Sequence, residues 1–461
     1  MMGTENMEQL HLSGVGPSDS VMKAQGLEEI TITSPIYIQP GEGQVYHDQI
    51  VHVQADIHCE GMLIFQSCVI HYNEPGTAGR ITMEENSRLT VANSVIQCHG
   101  YRKEMFLDME SELYDSEMNP LRFDDCAFIH CGNFFDTEGA ELAVKNCLFR
   151  GCWENVIGSR QEQMLNTIME NCEIDLGQTP DFLTGIEARG PLFHAEQFRM
   201  TNCLVVGPYE RGGPRSGALV CVFGRGLAKR CTFVGLNHLF SCLGDYFDAR
   251  SCLFVRCTDV FNDGMLAGAY SCRFDECTAL SGSQRIIGKM VDCQFNDCYE
   301  ELWKFGEISF FFDCQFNNWV GGDGEATAAM GPGAEARAML HFHQEEKKEA
   351  VISAIKNCTF RGMEAGNYFV VAASCGGKPG KPVLEMGNCD FEACRSTRQD
   401  GALLKTHETY PGLLKAKNVE MISLSHCVGL SGVNRGSGCV DDVRPMTQDA
   451  QGEPIGAALR E

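Results

Sequence analysis

Apolar and polar residues alternate in short runs along most of this chain. ITITSPIYIQP spans 30–40, QIVHVQADIHC spans 49–59, GMLIFQSCVI spans 61–70 and LTVANSVIQC spans 89–98. Alternation at period two places every other side chain on one face, which predicts strands. The runs are too short for helices, and Gly, Pro, Asn and Asp cut them at close intervals.

The runs belong to a repeat. Its clearest copy lies between Phe123 and Phe149 and reads Asn/Asp/Ser, Cys, any residue, Phe, any two residues, and often a second Cys. Cys126, Cys147, Cys252, Cys272, Cys293 and Cys314 each head a copy, with Phe two residues later. The steps 126→147, 252→272, 272→293 and 293→314 are 21, 20, 21 and 21 residues. Cys172, Cys203, Cys231, Cys358 and Cys389 head further copies at wider steps; Cys68/Ile70 and Ser94/Ile96 fit the same two columns. A fixed period of this length marks stacked repeats and overrides local propensity.

Each copy divides into three strands. The first carries Cys-x-Phe. A turn at the second Cys follows (Cys131, Cys152, Cys257, Cys277, Cys298, Cys394), and an apolar pair such as Phe134-Phe135, Val260-Phe261 or Leu302-Trp303 comes next. A third run, such as LAVKNC, KMVDC or FFFDC, leads into the next copy. Three strands per coil predict an all-β, right-handed parallel β-helix solenoid of about 15 coils of about 21 residues. The expected organisation is a lead-in and cap over 1–30, the solenoid over 31–430, and a C-terminal cap with a polar, Gly-rich tail over 431–461. A five-residue repeat is excluded, because the position five after each Phe is Asn133, Glu154 or Asp259.

Charge narrows the partners. The net charge of −25 argues against nucleic acid and anionic membranes, and no run approaches transmembrane length. The N-terminal residues lack a basic start and an apolar core, so no leader is expected there. The 25 cysteines are odd in number. Cysteines one coil apart would stand about 4.8 Å apart with near-parallel Cβ bonds, which does not supply the dihedral near 90° of a disulfide. The column therefore predicts reduced thiols serving as small buried hydrophobes, and a cytoplasmic location unless a leader has been removed.

The remaining motifs favour structure over chemistry. The column Asp125, Asn146, Asn171, Asn202, Ser251, Ser271, Asp292, Asp313, Asn357 and Asn388 predicts side-chain bonding along the stack rather than ligand binding. Paired cysteines with four residues between them, recurring along the chain, suit core filling better than a zinc site. His341 and His343 share a strand face but lack an evident third ligand, so no metal and no cofactor is expected.

The N-C-x-F repeat resembles that of the right-handed parallel β-helix (pectate-lyase-like) superfamily over roughly residues 30–430. The resemblance implies a fold shared by pectate lyases, polygalacturonases, epimerases, phage tail proteins and non-catalytic modules. The Asp-Asp pairs at 124–125 and 441–442 are not followed by the Gly-His-Gly and Arg-x-Lys segments of the polygalacturonases. No catalytic residue is assigned from sequence.

The leading expectation is a non-catalytic binding or scaffold protein with a protein or carbohydrate partner held on loop edges. Insertions at 110–120, 206–217, 320–336, 375–382 and 406–411 break the period. Tyr209, Arg211, Arg215, Lys378, Lys381, His407 and Tyr410 in these loops could stack on or pair with a ligand. A polysaccharide-acting lyase, hydrolase or epimerase is the alternative. It would show convergent acids with Arg, Lys or His on outward positions of adjacent coils. A laterally associating assembly or tail-fibre component would show an exposed apolar stripe. The oligomeric state is left open.

Overall fold

The computed structural model describes residues 12–84, 87–109, 121–137, 141–153, 156–158, 166–177, 191–207, 219–242, 244, 246–262, 266–280, 287–299, 302–306, 308–319, 338–344, 353–365, 368–374, 384–396, 404–408, 422–425 and 443–445. The chain falls into two compact units, Met1–Gly244 and Asp245–Glu461. Both are stacks of parallel strands arranged in sequence order, the pairing pattern of a β-helix solenoid.

In the first unit, each first strand of a coil pairs with the first strand of the next. One inward column runs Ile30, Val51, Ile70, Ile96, Phe128, Phe149, Ile174, Val205, Phe233. Two further columns lie between these strands in sequence. One begins with Ile36–Ile38, Ile57–Cys59 and Ile81–Met83, the other with Gly43–His47, Met62–Gln66 and Arg88–Ala92. The long strands Phe193–Thr201 and Val220–Lys229 traverse both of these columns in one run, with a register break between Ala195 and Gln197.

The second unit repeats the plan. Phe254, Phe274, Phe295, Phe316, Phe360 and Phe391 are in register from coil to coil. Their rings stack at 4.6–5.0 Å with interplanar angles of 5–7°. Burial of large rings in an interior layer and offset stacking account for the repeated Phe. Another column runs through Tyr246–Arg250, Leu266–Tyr270, Ile287–Val291, Ile308–Phe312, Ser353–Lys356 and Leu384–Gly387. Val443–Pro445, within the expected tail, pairs with Ile422–Ser425.

The polar column has a backbone cause. All ten of its predicted members have φ between 51° and 56°, the left-handed region where Asn and Asp are enriched. The chain turns there from the third strand into the first. Along the stack, Asn146 donates to Asp125 (3.0 Å), Asn202 to Asn171 (3.2 Å) and Asn388 to Asn357 (3.1 Å). The following cysteine points inward. Every described cysteine is a free thiol, and all but Cys394 are buried. The thiols donate to carbonyls, as Cys147 does to Lys145 O (3.2 Å) and Phe123 O (3.3 Å). Burial and neighbouring thiols push the Cys147 and Cys172 pKa values well up, which leaves them unreactive.

Residues 12–27 lie along the outside of the first unit. Val21, in the helical turn Asp19–Met22, packs on the outward residues Val69, Val95, Ala127 and Leu148. The Gly16 amide donates to Asn146 O (2.7 Å), the Leu12 amide to Glu173 Oε2 (2.9 Å) and the Ser18 amide to Asn93 Oδ1 (2.7 Å).

Candidate functional site

Two outward clusters of chemically active side chains stand on these stacks, one in each unit. The cluster of the second unit is built by residues four and two positions before the repeat cysteines. Asp248, Gly268, Lys289 and Phe310 form one register column, and Arg250, Tyr270, Val291 and Phe312 form the other. Alternation explains the direction: Phe247, Ala249, Met290 and Phe311 are buried, so their neighbours point out.

Arg250 donates to Asp248 Oδ2 at 2.7 Å, and its guanidinium lies 5.4 Å from the centre of the Tyr270 ring. Lys289 Nζ lies 6.0 Å from the centre of the same ring. The phenol thus has a cation from each neighbouring coil, within the range of cation–π attraction. Gly268 makes room for this arrangement. A Cβ there would meet Asp248 Oδ1 at 2.5 Å and Tyr270 Cε2 at 2.8 Å. Phe310 and Phe312 extend the aromatic surface, with ring centres 5.9 Å apart.

The hydrogen bond to Asp248 pushes the Arg250 pKa up. Partial burial, then the Asp248 charge, pushes the Tyr270 pKa up, against the opposing effect of Arg250. Both groups therefore stay protonated near neutral pH. Among the described residues Lys289 has no carboxylate partner and is exposed.

The cluster of the first unit is built from imidazoles and carboxylates. His52 and His71 are in register on consecutive coils, with ring centres 4.8 Å apart. His99 follows strand Val95–Cys98, and its ring lies 4.7 Å from that of His71. His99 Nε2 and His71 Nδ1 are 2.7 Å apart. His52 Nδ1 meets Glu74 Oε1 at 2.8 Å, and its Nε2 meets Glu29 Oε1 at 3.1 Å. Gln54 donates to the second oxygen of Glu74 at 3.2 Å. Burial, then the neighbouring His99 and His52, lowers the His71 pKa to about 4. His99 is lowered too, chiefly by burial. Burial raises the Glu74 pKa, but the hydrogen bonds from His52 and Gln54 outweigh it and the net direction is down.

The loop residues singled out from sequence are not among these groups. Tyr209, Arg211, Arg215, Lys378, Lys381 and Tyr410 lie outside the described residues. His407 lies in strand Leu404–Glu408, opposite Ala373, and its side chain is outside what is described. The side chains of His341 and His343, in strand Ala338–Gln344, are likewise outside it. Among the described residues no group of three or more His, Cys, Asp or Glu is arranged to hold a metal ion. No helix among them is long and apolar enough to cross a membrane. Their exposed large apolar side chains are Tyr37, Val45, Met62 and Tyr101.

Both clusters were present in the repeat. The runs DARSC, GAYSC, KMVDC and FFFDC contain the second cluster once the residues between the inward ones are aligned. VHV at 51–53 and IHY at 70–72 contain two of the three imidazoles of the first. The signal lies in the outward column, whereas the Cys-x-Phe repeat marks the inward one.

Comparison with protein-family models finds no match, and comparison with curated proteins finds none either. Among solved structures, the chain is similar to a mannuronic acid specific polysaccharide family 6 lyase from human gut microbiota. The identity is 10%, the alignment covers 86% of this chain and 87% of that one, and the TM-score is 0.30.

Proposed function

We propose that this protein binds an acidic carbohydrate polymer on the outward face around Tyr270. The observation that carries this reading is the phenol flanked by Arg250 and Lys289 from the two adjacent coils. Aromatic faces stack on sugar rings, and guanidinium and ammonium groups pair with carboxylates. The net charge of −25 opposes such a ligand at long range. At physiological salt, though, charges are screened beyond about 8 Å, so cations in direct contact decide the outcome.

The same groups favour binding over bond cleavage at this face. Elimination needs a group ready to take a proton; Arg250 and Tyr270 are both held in their protonated forms, and the Asp248 carboxylate is engaged by Arg250. Titration calorimetry with oligouronates and matched neutral oligosaccharides tests the reading. The expected result is salt-sensitive binding of the uronates alone, weakened about tenfold by Lys289→Ala. Equal binding of neutral sugars, or a Lys289→Ala protein with full affinity, would overturn it.

A second reading, a polysaccharide-acting enzyme, is favoured by the first unit. There, two carboxylates and three imidazoles meet on adjacent coils, and His71 is free base at neutral pH. Such a group beside an imidazole bonded to two carboxylates supplies a proton acceptor on an outward face. Release of unsaturated or reducing ends from a panel of polysaccharides, abolished in His71→Ala, is the expected result. No product from any of them counts against this reading.

A further inference from the structure

The imidazole stack of the first unit takes no part in the proposed binding, yet it is assembled with care. His52, His71 and His99 come from successive coils: parallel register stacks His52 on His71 at the coil spacing, and His99, two positions beyond Gln97, the register partner of His71, turns a tilted ring back onto His71. The contact of 2.7 Å between His99 Nε2 and His71 Nδ1 admits one proton. One nitrogen must donate and the other must accept, so both rings cannot be doubly protonated in this arrangement. His52 differs. Each of its nitrogens faces a carboxylate oxygen, and only a ring with a proton on each nitrogen donates to both Glu74 and Glu29.

The stack therefore places one imidazole that is satisfied when charged against two that can stack and bond only if at least one is neutral. The titratable groups facing His71 and His99 are His52, Glu29 and Glu74, together with His130 on the side of His99. The two carboxylates are already engaged by His52, with Gln54 on Glu74. They leave no described hydrogen bond to a second or third imidazolium.

We propose that this stack is an acid-sensitive clasp on the first coils, closed while His71 and His99 share one proton and opened when both are fully protonated. The coils it joins also carry the outer segment 12–27, since Val21 rests on Val69 and Val95 of the same strands. Opening would loosen both.

The sign follows from linkage. A histidine whose pKa is lower in the folded state binds protons more readily when unfolded. The contribution of His71 is fully present above the ordinary imidazole value of about 6.5. It is lost as pH falls through the window from there to about 4. Glu74 works in the same direction, because its lowered pKa also makes its contribution disappear on acidification, below the ordinary carboxylate value. Removing the two imidazoles separates the effects.

Hydrogen exchange on the full chain, corrected for intrinsic rates, at pH 7 and pH 5, tests the proposal. Peptides covering Gln49–Val53, Val69–Tyr72 and Val95–Cys98 report the clasp; those covering Arg273–Asp275 and Gln294–Asn296 are internal controls. In acid the first set should lose about tenfold more protection than the controls. In the double variant His71→Gln, His99→Gln the difference should vanish. Equal losses in both sets, or an unchanged acid response in the variant, would overturn the proposal. Should the variant fail to fold, imidazole titration by NMR in the unaltered protein decides. Two rings titrating well below the ordinary value are expected, and all rings titrating near about 6.5 would overturn it.

Discussion

The two outward clusters stand on the same scaffold and handle ionisable side chains in opposite ways. In the first unit, imidazoles from successive coils touch, and burial, then their mutual proximity, discharges them: His71 is lowered to about 4. In the second unit, Arg250 and Lys289 are two coils apart, with the Tyr270 ring between them. A coil spacing of about 4.8 Å brings like side chains within strong mutual influence. A group with a pKa near neutrality can escape by losing its proton. A guanidinium cannot, so it persists only beside a carboxylate or with a neutral residue in between. Arg250 has both, in Asp248 and Tyr270. The arrangement that suits proton exchange thus differs from the one that suits anion binding, although both are written on β-helix coils.

The largest expected effect separates the interior from both faces. Phe274 is fully buried and stacked between Phe254 and Phe295. Phe274→Ala should cost about 3–5 kcal/mol by denaturant unfolding. Because each coil depends on its neighbours, the loss should be concentrated in the second unit while the acid response of the first unit persists. A loss below about 1 kcal/mol would mean that the column does not hold the stack.

A smaller effect is expected at the ring itself. Tyr270→Ala removes the platform between the two cations and should weaken uronate binding several-fold, consistent with about 1 kcal/mol for an exposed cation–π contact. Tyr270→Phe keeps the ring and should bind nearly as the unaltered protein does. Equal losses in both variants would move the important contact from the ring face to the hydroxyl. Neither change should alter the acid sensitivity of the first unit, and a change there would break the separation drawn between the clusters.

Gly268→Ala should have the least effect. Its Cβ would press on the ends of the Asp248 and Tyr270 side chains, which can move aside. A shift in affinity of about twofold, with stability nearly unchanged, is expected by calorimetry and thermal unfolding. A loss as large as that of Tyr270→Ala would show that the ring position at rest is what the ligand requires.

Much of this was legible before any coordinates. The Cys-x-Phe spacing placed Cys126, Cys147, Cys272 and Phe128, Phe149, Phe274 in buried columns, and all are buried. The Asn/Asp/Ser column predicts bonding along the stack, and it forms side-chain ladders. Its left-handed φ emerges only in the structure, and that conformation is the reason Asn and Asp recur there. The cysteine column predicts small buried side chains, and every described cysteine but Cys394 is buried. Both clusters stand on regular outward faces, while the loops carrying Tyr209, Arg211, Arg215, Lys378, Lys381 and Tyr410 lie outside the described residues.

The period, the inward columns and the turn positions are written in the order of residues alone. Burial is non-directional and a repeated Cys-x-Phe needs only to be inside, so its recurrence along the sequence is enough to assign it. The tertiary structure alone decided which outward residues become neighbours. His52 and His71 are 19 residues apart, and Phe316 meets Phe360 across a 44-residue step as closely as Phe274 meets Phe295 across 21. Insertions change the spacing in sequence without changing the spacing of the coils. Proton sharing and cation–π contacts depend on distances of a few ångströms between chemically specific groups, and those distances exist only once the coils have closed and their register is set.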